Sequence, residues 1–458
     1  MSSRSATLAL IFASVGHFFT HLLMLLYPTV LLVIEGRWGM SYGDLLSLSL
    51  GGFVLFGLGA PPAGWLGDRW SAERMMVVFF VGTGGAAIAT GLSGGPIALA
   101  LGLAAIGLFG SIYHPVGTAW LVRNAANRGR ALGWNGISGS IGLATAPLVA
   151  GALTQAISWR AAFIIPGALC TAVGVALLGM VGSGNVIAAV ADRRPEPTAS
   201  QRDMLRTFIV LSFTMLADGT ISQAIPVALP KAFAAGLTGL TDGGTLDAGG
   251  FVTLVFLVAA TGQLAGGWLA DRFAMKAVYI LAWAVQVPLF FVAAQARDVP
   301  LLGAMMAVNY LNVLATPAEN ALLARYTPAK WRATAYGAKF LLALGVSTIG
   351  VKLVAMTYDN TGSFGSLWLA LGGCAGFVAL AGLFLPGRLR RSSLLKRRGS
   401  SWTIGSFFRT DQAIPKLSPF CDCSVLTCWT QKISPSVREL YKVDDGRRRR
   451  KQRNPASL

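Results

Sequence analysis

Long apolar stretches separated by short polar connections run along most of this chain. A helix needs roughly 20 mostly apolar residues to cross the hydrocarbon core of a bilayer. Stretches of that length cover about residues 7–34, 43–66, 75–93, 96–122, 131–156, 160–182, 206–230, 248–270, 276–295, 299–323, 333–356 and 364–386. Each is continuous and rich in Leu, Ala, Gly and Val, whereas the strands of a membrane barrel alternate over about 10 residues. The pattern predicts an all-α membrane protein with twelve transmembrane helices.

Two polar segments divide this pattern. Residues 183–205 lie midway and contain Asp192-Arg193-Arg194-Pro195-Glu196-Pro197, which predicts a cytoplasmic linker between a six-helix bundle at 1–182 and another at 206–386. Because each bundle has an even number of spans, both enter the membrane from the same face, as parallel repeats do. Residues 387–458 lose the apolar pattern and end in a basic run, which predicts a basic, disordered cytoplasmic tail.

Composition and charge agree with a membrane protein. Hydrophobic residues make up 54% of the chain and charged residues 12%, against roughly 25% charged in soluble domains; the mean hydropathy is +0.60. With the N-terminus in the cytoplasm, the cytoplasmic connections hold fifteen Lys and Arg and the opposite side four: Arg37, Arg160, Lys231 and Arg297. This asymmetry predicts that both termini are cytoplasmic. It also explains the basic loops, so the lipid bilayer and not nucleic acid is the expected partner.

One phrase occurs twice. Gly64-Trp65-Leu66-Gly67-Asp68-Arg69-Trp70 returns 203 residues later as Gly267-Trp268-Leu269-Ala270-Asp271-Arg272-Phe273. His114-Pro115 likewise returns as Thr316-Pro317, 202 residues later. Repeats at a nearly constant offset indicate that the two halves arose by duplication. With the topology above, both copies of the phrase lie in cytoplasmic loops.

The repeated phrase, Gly-x-x-x-Asp-Arg between the second and third spans, resembles the signature of the major facilitator superfamily, over residues 7 to 386. The resemblance implies that Asp68 braces helix ends on the cytoplasmic side and that Arg69 and Arg74 belong to the same charge relay. Helix N-termini carry partial positive charge, so a carboxylate placed there is stabilised electrostatically. Here Trp70-Ser71-Ala72-Glu73 stands where the family continues with Gly and basic residues. The equivalents in the second half are Gly267, Asp271, Arg272 and Lys276, with Gly64 matched to Gly267.

Within that superfamily, two segments resemble the bacterial fosmidomycin-resistance branch of drug exporters. They are Gly107-Leu108-Phe109-Gly110-Ser111-Ile112-Tyr113-His114-Pro115 and the glycine series Gly136, Gly139 and Gly142 with Pro147 and Gly151. The resemblance implies a monomeric protein of the bacterial inner membrane that exchanges a small drug-like substrate for protons. The glycines of the fifth span have an equally good alternative explanation, since small residues let helices pack closely.

Ionisable groups inside membrane spans are costly and are therefore functional candidates. In this chain they are His17, His21, His114, Asp218, Glu319, Lys339 and Lys352. In the resembled fold, spans 1, 4, 7 and 10 line the central cavity, and five of the seven groups fall on those spans. Lys352 lies close enough to the membrane surface to reach water, which leaves it without a role.

Asp218 and Glu319 are the two candidates for a proton carrier. His17 and His21 are one helical turn apart and share a face, where they would tune the proton affinity of the carrier or bind substrate. Because span 7 is the symmetry mate of span 1, Asp218 is expected to face the histidine pair. The alternative for Glu319 is a structural ion pair with Lys339. His114 precedes a proline that kinks its helix, so it is either at a hinge or a packing residue.

Polar residues on the cavity-lining spans are further candidates for substrate contact. They are Tyr113, Asn135, Gln223, Asn309 and Asn312, together with His114 and Lys339. Uptake or exchange of a small organic anion, attracted by Lys339, the histidines and the basic loops, remains an alternative to export.

Other classes of protein fit the sequence less well. The chain has no Gly-x4-Gly-Lys-Ser/Thr phosphate loop, so neither ATP nor another cofactor is expected. A membrane-embedded enzyme would need a cluster of metal ligands, and three histidines split between spans 1 and 4 predict no such cluster and no metal. Cys421, Cys423 and Cys428 fall short of a four-ligand zinc site. A transporter-like receptor would need a large effector region, for which the tail is weak support.

Overall fold

The computed structural model describes residues 3–35, 38–125, 128–184, 200–241, 244–327, 339 and 341–386. The predicted tail, most of the predicted linker and much of the start of the predicted eleventh span lie outside these residues. Over the described residues the chain is helical, without strands.

The described part of the first half contains ten α-helices. They are α1 Ser3–Met24, α2 Tyr27–Ile34, α3 Tyr42–Ser47, α4 Leu50–Leu58, α5 Ala60–Arg69, α6 Ala72–Gly91, α7 Pro96–Gly110, α8 Thr118–Asn124, α9 Arg128–Ala156 and α10 Ala161–Gly182. A π-helical turn, Tyr113–Gly117, joins α7 to α8. Side chains cap the N-termini of some of these helices. At the start of α6, for example, Ser71 Oγ accepts a hydrogen bond from Arg74 N, a backbone donor that has no partner within the helix.

The second half contains six α-helices in its described part. They are α11 Gln201–Gly236, α12 Thr245–Arg272, α13 Met275–Gln295, α14 Asp298–Tyr326, α15 Ile349–Thr361 and α16 Gly365–Gly382. A π-helical turn, Leu341–Gly345, and a 3-10 turn, Val346–Thr348, precede α15. Ser200 caps α11 by accepting a hydrogen bond from Asp203 N.

Eleven of the twelve predicted stretches coincide with apolar segments long enough to span a bilayer. Ten of these are continuous, and the eleventh, Tyr42–Leu58 with Ala60–Arg69, bends by 40°. The bend falls just before Pro61-Pro62, where proline interrupts regular helical hydrogen bonding. The twelfth stretch, 333–356, is described only from residue 339 onward, and α15 forms its end. The sequence prediction of an all-α membrane protein is thus confirmed.

Helix packing repeats between the halves. α6 packs along α10 as α13 packs along α16, while α4 packs along α7 as α12 packs along α14. In the first half, a Cβ atom on Gly107 would lie 1.9 Å from the carbonyl oxygen of Gly52. In the second half, a Cβ on Gly266 would lie 2.2 Å from the carbonyl oxygen of Leu314. Backbones this close require glycine, which is how small residues allow membrane helices to associate.

The two halves meet along α9 and α12 and around α3 and α15. At the end of the molecule opposite the repeated phrase, Lys231 of α11 forms an ion pair with Glu35, with Nζ and Oε2 2.5 Å apart. The Lys231 ammonium group also lies 5.6 Å from the ring centre of Tyr42 and 5.2 Å from that of Tyr358. Asp359 accepts hydrogen bonds from Ser41 Oγ at 2.7 Å and from Gly43 N at 2.9 Å. These contacts, the latch, join the halves at this end.

Lys231→Met is expected to weaken the latch, because it removes an ion pair and two cation–π contacts at this end of the molecule. A cysteine at Ala260, which lines the cavity described below, should then react roughly tenfold faster with an impermeant maleimide added from the latch side. A tenfold change in the population open to that side corresponds to a loss of about 1.4 kcal/mol in the stability of the latch. The rate is measured in a background without the five native cysteines.

Lys352→Met is the matched control for this prediction. Lys352 lies near the same end, but within the described part of the chain its Nζ makes only a long, exposed contact of 3.5 Å with Ser47 Oγ, so its loss should change the labelling rate little. Equal rates in the Lys231 variant and the parent protein would contradict a role for the latch in holding the halves together.

Candidate functional site

The three histidines form one cluster between α1 and the π-helical turn. His17 and His21 lie one turn apart on α1, and their Nε2 atoms are 3.2 Å apart. The ring centre of His114 is 5.4 Å from that of His17 and 5.6 Å from that of His21. One ring nitrogen from each residue lies within 4.8 Å of the other two, and all three side chains are half-buried. One sequence prediction is therefore wrong: the split between two spans does not keep the histidines from forming a cluster of ligand atoms.

Tyr113 and Asn135 hold the histidine cluster in place. His17 Nδ1 lies 2.8 Å from the backbone oxygen of Asn135, and the His17 ring stacks on Tyr113 with the ring centres 4.9 Å apart. The Asn135 side-chain amide donates a 2.7 Å hydrogen bond to the Tyr113 hydroxyl. Because a carbonyl oxygen can only accept, His17 Nδ1 carries the proton and its Nε2 presents a lone pair to His21 Nε2.

Gly139 provides the space for the His17 ring. A Cβ atom at this position would lie 2.5–2.6 Å from three atoms of the imidazole. Gly142, one turn further along α9, approaches the backbone of Phe18 in the same way. Two glycines of the fifth span thus pack α9 against α1, as the packing explanation of the glycine series predicts.

Gly139→Ala is expected to displace the His17 ring and to destabilise the protein by about 1–3 kcal/mol, the usual cost of overpacking. The thermal unfolding temperature in detergent measures this effect. Gly133→Ala is the matched control, because it is on the same helix and a Cβ there would meet nothing within 4 Å. If both variants unfold at the temperature of the parent protein, the close contact between α9 and His17 is refuted.

Asp218 lies at the centre of a second polar cluster, on α11 and α14. Its Oδ1 accepts hydrogen bonds from Ser222 Oγ and from the Asn312 side-chain amide, both at 3.1 Å. These partners belong to the second half, and that Asp218 faces His17 and His21 across the cavity remains a prediction. The described ion pairs of the chain are Arg123–Asp68, Lys231–Glu35 and Lys339–Glu319, and none of these includes Asp218.

Glu319 is buried and paired. Lys339 Nζ lies 2.6 Å from Glu319 Oε1 and donates a 2.7 Å hydrogen bond to Asn320 Oδ1. The Tyr279 hydroxyl lies 3.5 Å from Glu319 Oε2. Only 2% of Glu319 is exposed, and a buried carboxylate requires such partners. The structural ion pair that the sequence offered as one alternative is therefore formed.

A cavity of about 100 Å³ lies between α9 of the first half and α11, α12 and α14 of the second. Its polar wall includes Ser222, Asn312, Asn309 and Ser140, and the rest is apolar, with Phe256 the largest side chain. Ser222 and Asn312 are the two residues that hold Asp218, so the carboxylate is one contact away from the cavity. Gln223, also a predicted cavity residue, is buried and is not part of this wall.

The repeated phrase takes the same form in both halves. The Arg69 guanidinium lies 4.4 Å from the ring centre of Trp65, and that of Arg272 lies 4.3 Å from the ring centre of Trp268. Both are cation–π contacts at the end of a helix. The Asp68 carboxylate lies 3.6 Å from Arg123 of α8, which links two helix ends. The Asp271 side chain lies outside the described set.

Lys276 of the second copy acts on the last helix. Its Nζ donates hydrogen bonds of 2.7 Å to the carbonyl oxygens of both Leu383 and Leu385. The last carbonyls of a helix have no partner within it, so Lys276 caps the end of α16. The roles of these residues in conformational change remain predictions.

Sequence reasoning missed Ser222, Asn320 and Tyr279. Ser222 follows Asp218 by four residues, a spacing that places both on one face of α11, so a signal was available. Asn320 and Tyr279 join the site only through the packing of α13 and α14 and the position of Lys339, which no local pattern encodes.

Comparison with known proteins shows the family. The sequence profile of the Major Facilitator Superfamily matches residues 10–350. The chain belongs to the Major Facilitator Superfamily. No curated protein matches the chain.

Solved transporter structures share the fold. The chain resembles a bacterial homologue of the human lysosomal transporter Spinster, in an inward-facing and occupied conformation, with 15% identity, a TM-score of 0.64, and coverage of 84% of this chain and 95% of that one. It resembles the peptide transporter POT in complex with sulfate at 16% identity, with a TM-score of 0.66 and coverage of 83% and 93%. It resembles the transporter FucP in an outward conformation at 15% identity, with a TM-score of 0.56 and coverage of 84% and 100%.

These likenesses show the fold. Together with the family, they identify the chain as a multi-pass membrane transporter of small molecules and not an enzyme.

Proposed function

We propose that this transporter exports a small drug-like or amphiphilic compound in exchange for protons, by alternating access, with Asp218 as the proton carrier. The observation that carries the proposal is the position of Asp218, whose two hydrogen-bond partners, Ser222 and Asn312, both line the cavity between the halves. A proton on this carboxylate and a compound in the cavity would then compete for the same polar contacts.

Asp218 suits the role better than Glu319. The charge of Glu319 is balanced by Lys339 at 2.6 Å within a buried pair, and separating such a pair is costly. Asp218 is held by neutral groups and is partly accessible. Because neither a hydroxyl nor an amide fixes its charge, the carboxylate can exchange a proton without leaving a buried cation unpaired.

The cavity favours an amphiphilic compound. Its walls combine apolar residues such as Phe256, Ile225 and Pro226 with the hydroxyl and amide groups of one side, the mixture typical of small-molecule sites. Its volume of about 100 Å³ is below the roughly 300–1,000 Å³ of ligand pockets. A compound of drug size would therefore enter only when the halves move apart, as alternating access requires.

The cellular arrangement is part of the same proposal. The charge bias of the loops supports cytoplasmic termini, and the resemblance to the fosmidomycin-resistance branch supports a monomer in a bacterial inner membrane. Uptake of an organic anion is less well supported, because one of the cationic groups on which it relied, Lys339, is already paired with Glu319.

Proteoliposomes that contain a pH-sensitive dye test the proposal. Addition of a fosmidomycin-like phosphonate or a lipophilic cation to the purified, reconstituted protein should produce proton movement opposite to that of the compound. Proton movement in the same direction as a phosphonate would favour anion uptake. No proton movement with any tested compound, in vesicles where exchange of labelled compound proceeds, would contradict proton coupling.

A further inference from the structure

The whole histidine content of this chain is gathered at one place. The sequence has three histidines, and all three belong to the cluster of His17, His21 and His114. They are not needed for the hydrogen bonds of Asp218, which come from Ser222 and Asn312. The cluster therefore calls for a separate explanation.

The spacing of the first two ring nitrogens matches a shared metal ion. Zinc–imidazole bonds are about 2.0–2.1 Å long, and at a tetrahedral angle two such nitrogens lie about 3.3 Å apart. The Nε2 atoms of His17 and His21 are 3.2 Å apart. Two histidines at positions i and i+4 of a helix are also the arrangement with which metalloproteases hold zinc.

The surroundings of His17 are those of a metal ligand. Ligating histidines usually donate their other ring N–H to a carbonyl or carboxylate, which fixes the tautomer and the orientation of the ring. His17 Nδ1 donates to the backbone oxygen of Asn135 at 2.8 Å, and the ring is also stacked on Tyr113. Its Nε2 lone pair is thus directed toward His21 Nε2, 3.2 Å away.

The third histidine comes from the π-helical turn Tyr113–Gly117, a type of distortion frequent at functional sites. The Phe56 ring packs against His114 with ring centres 5.7 Å apart, so one wall of the cluster is apolar. Among the described residues, the ligand atoms at this place are three imidazole nitrogens, without carboxylate or thiolate. Imidazole suits zinc, copper, iron and nickel, whereas magnesium and calcium prefer oxygen.

We propose that His17, His21 and His114 bind one divalent transition-metal ion such as Zn²⁺ or Co²⁺, through three ring nitrogens that leave one coordination position open. Three protein ligands and an open position are the pattern of zinc sites that exchange a ligand. Without metal, His21 Nε2 donates its hydrogen to His17 Nε2; with metal, that proton is on His21 Nδ1 and both Nε2 atoms coordinate. The proposal goes beyond proton-coupled export and does not depend on it.

Titration of the purified, metal-free full chain with Co²⁺ tests the site. The protein is purified with an affinity tag that contains no histidine, and Cys421, Cys423 and Cys428 are each replaced by serine. Neither the tag nor these thiols can then bind the ion. Visible d–d bands of tetrahedral Co²⁺ should appear, saturate at one equivalent and disappear on addition of Zn²⁺. His21→Gln and His114→Gln should each weaken binding by roughly 100-fold or more, beyond the 10–100-fold typical of losing an outer-shell partner.

Asp218→Asn is the control variant, since it belongs to the other cluster and should bind Co²⁺ like the parent protein. Loss of proton coupling in this variant with metal binding retained would separate the two proposals. If the histidine variants fail to fold, carbethoxylation of the parent protein tests the metal site instead, because bound Zn²⁺ should protect its three histidines from modification. Absence of the Co²⁺ bands, unchanged binding in both histidine variants, or histidines that Zn²⁺ does not protect would each overturn the metal site.

Discussion

Asp218→Asn is expected to abolish proton-coupled transport, with a loss of roughly 100-fold or more, while leaving the protein folded. Asparagine has nearly the same shape and still accepts hydrogen bonds from Ser222 and Asn312, so packing is preserved. It cannot bind and release a proton, and a well-placed proton-transfer group typically contributes factors of 10²–10⁴. Proton movement driven by the compound is measured in proteoliposomes, beside exchange of labelled compound at equal pH on both sides.

Asp203→Asn is the matched control. It changes the same residue type on the same helix, at the exposed start of α11, where Asp203 accepts a hydrogen bond from the Ser200 hydroxyl. Transport should remain near that of the parent protein. Full proton coupling in the Asp218 variant would remove this carboxylate from the mechanism and leave Glu319 as the candidate.

Lys339→Met should be the most destabilising single change at the site. It leaves Glu319, with 2% of its surface exposed, without the ammonium group 2.6 Å away. Removing one partner of a buried ion pair costs about 3–5 kcal/mol. The expected result is a clear fall in the thermal unfolding temperature of the detergent-solubilised protein.

The double variant Glu319→Gln with Lys339→Met should recover most of that stability. Both charges are then absent, and neutral groups of similar size can replace a buried pair at little cost. A double variant as unstable as Lys339→Met alone would show that the lysine acts through packing and not through its charge. The single variant Glu319→Gln completes the double-mutant cycle.

The sequence predicts the helices well because the bilayer imposes them. Without water in the hydrocarbon core, a backbone must satisfy its own hydrogen bonds, so a long apolar stretch is necessarily helical. Breaks within spans are harder to place. Pro61-Pro62 marks the bend between α4 and α5, but the π-helical turn at Tyr113–Gly117 depends on packing around His114 as well as on Pro115.

The site is predicted most firmly where its residues share a helix. His17 and His21 are one turn apart, and that spacing predicts their contact. The approach of His114 depends on how α1 packs against the π-helical turn, and the pairing of Glu319 with Lys339 depends on two elements 20 residues apart in sequence. Such contacts arise from tertiary structure, which local periodicity does not encode.

The hydrogen-bond partners of the two polar clusters show a further limit. Symmetry between spans 1 and 7 predicts that Asp218 faces the histidines, but it does not predict their partners, which come from α11 and α14 for Asp218 and from α9 for His17. Duplication preserves helix positions better than it preserves side-chain partners. The repeated Trp–Arg contacts at residues 65–69 and 268–272 are an exception, because both partners lie on the same helix.

A proton on Asp218 and a compound in the cavity should exclude one another. Proton release from the purified protein in weakly buffered detergent solution, on addition of a transported compound, tests it most directly. The parent protein should release protons in an amount that rises with protein concentration and saturates with compound, and Asp218→Asn should bind the compound without releasing protons. Equal proton release from both proteins, or binding by the parent protein without any release, would contradict the account.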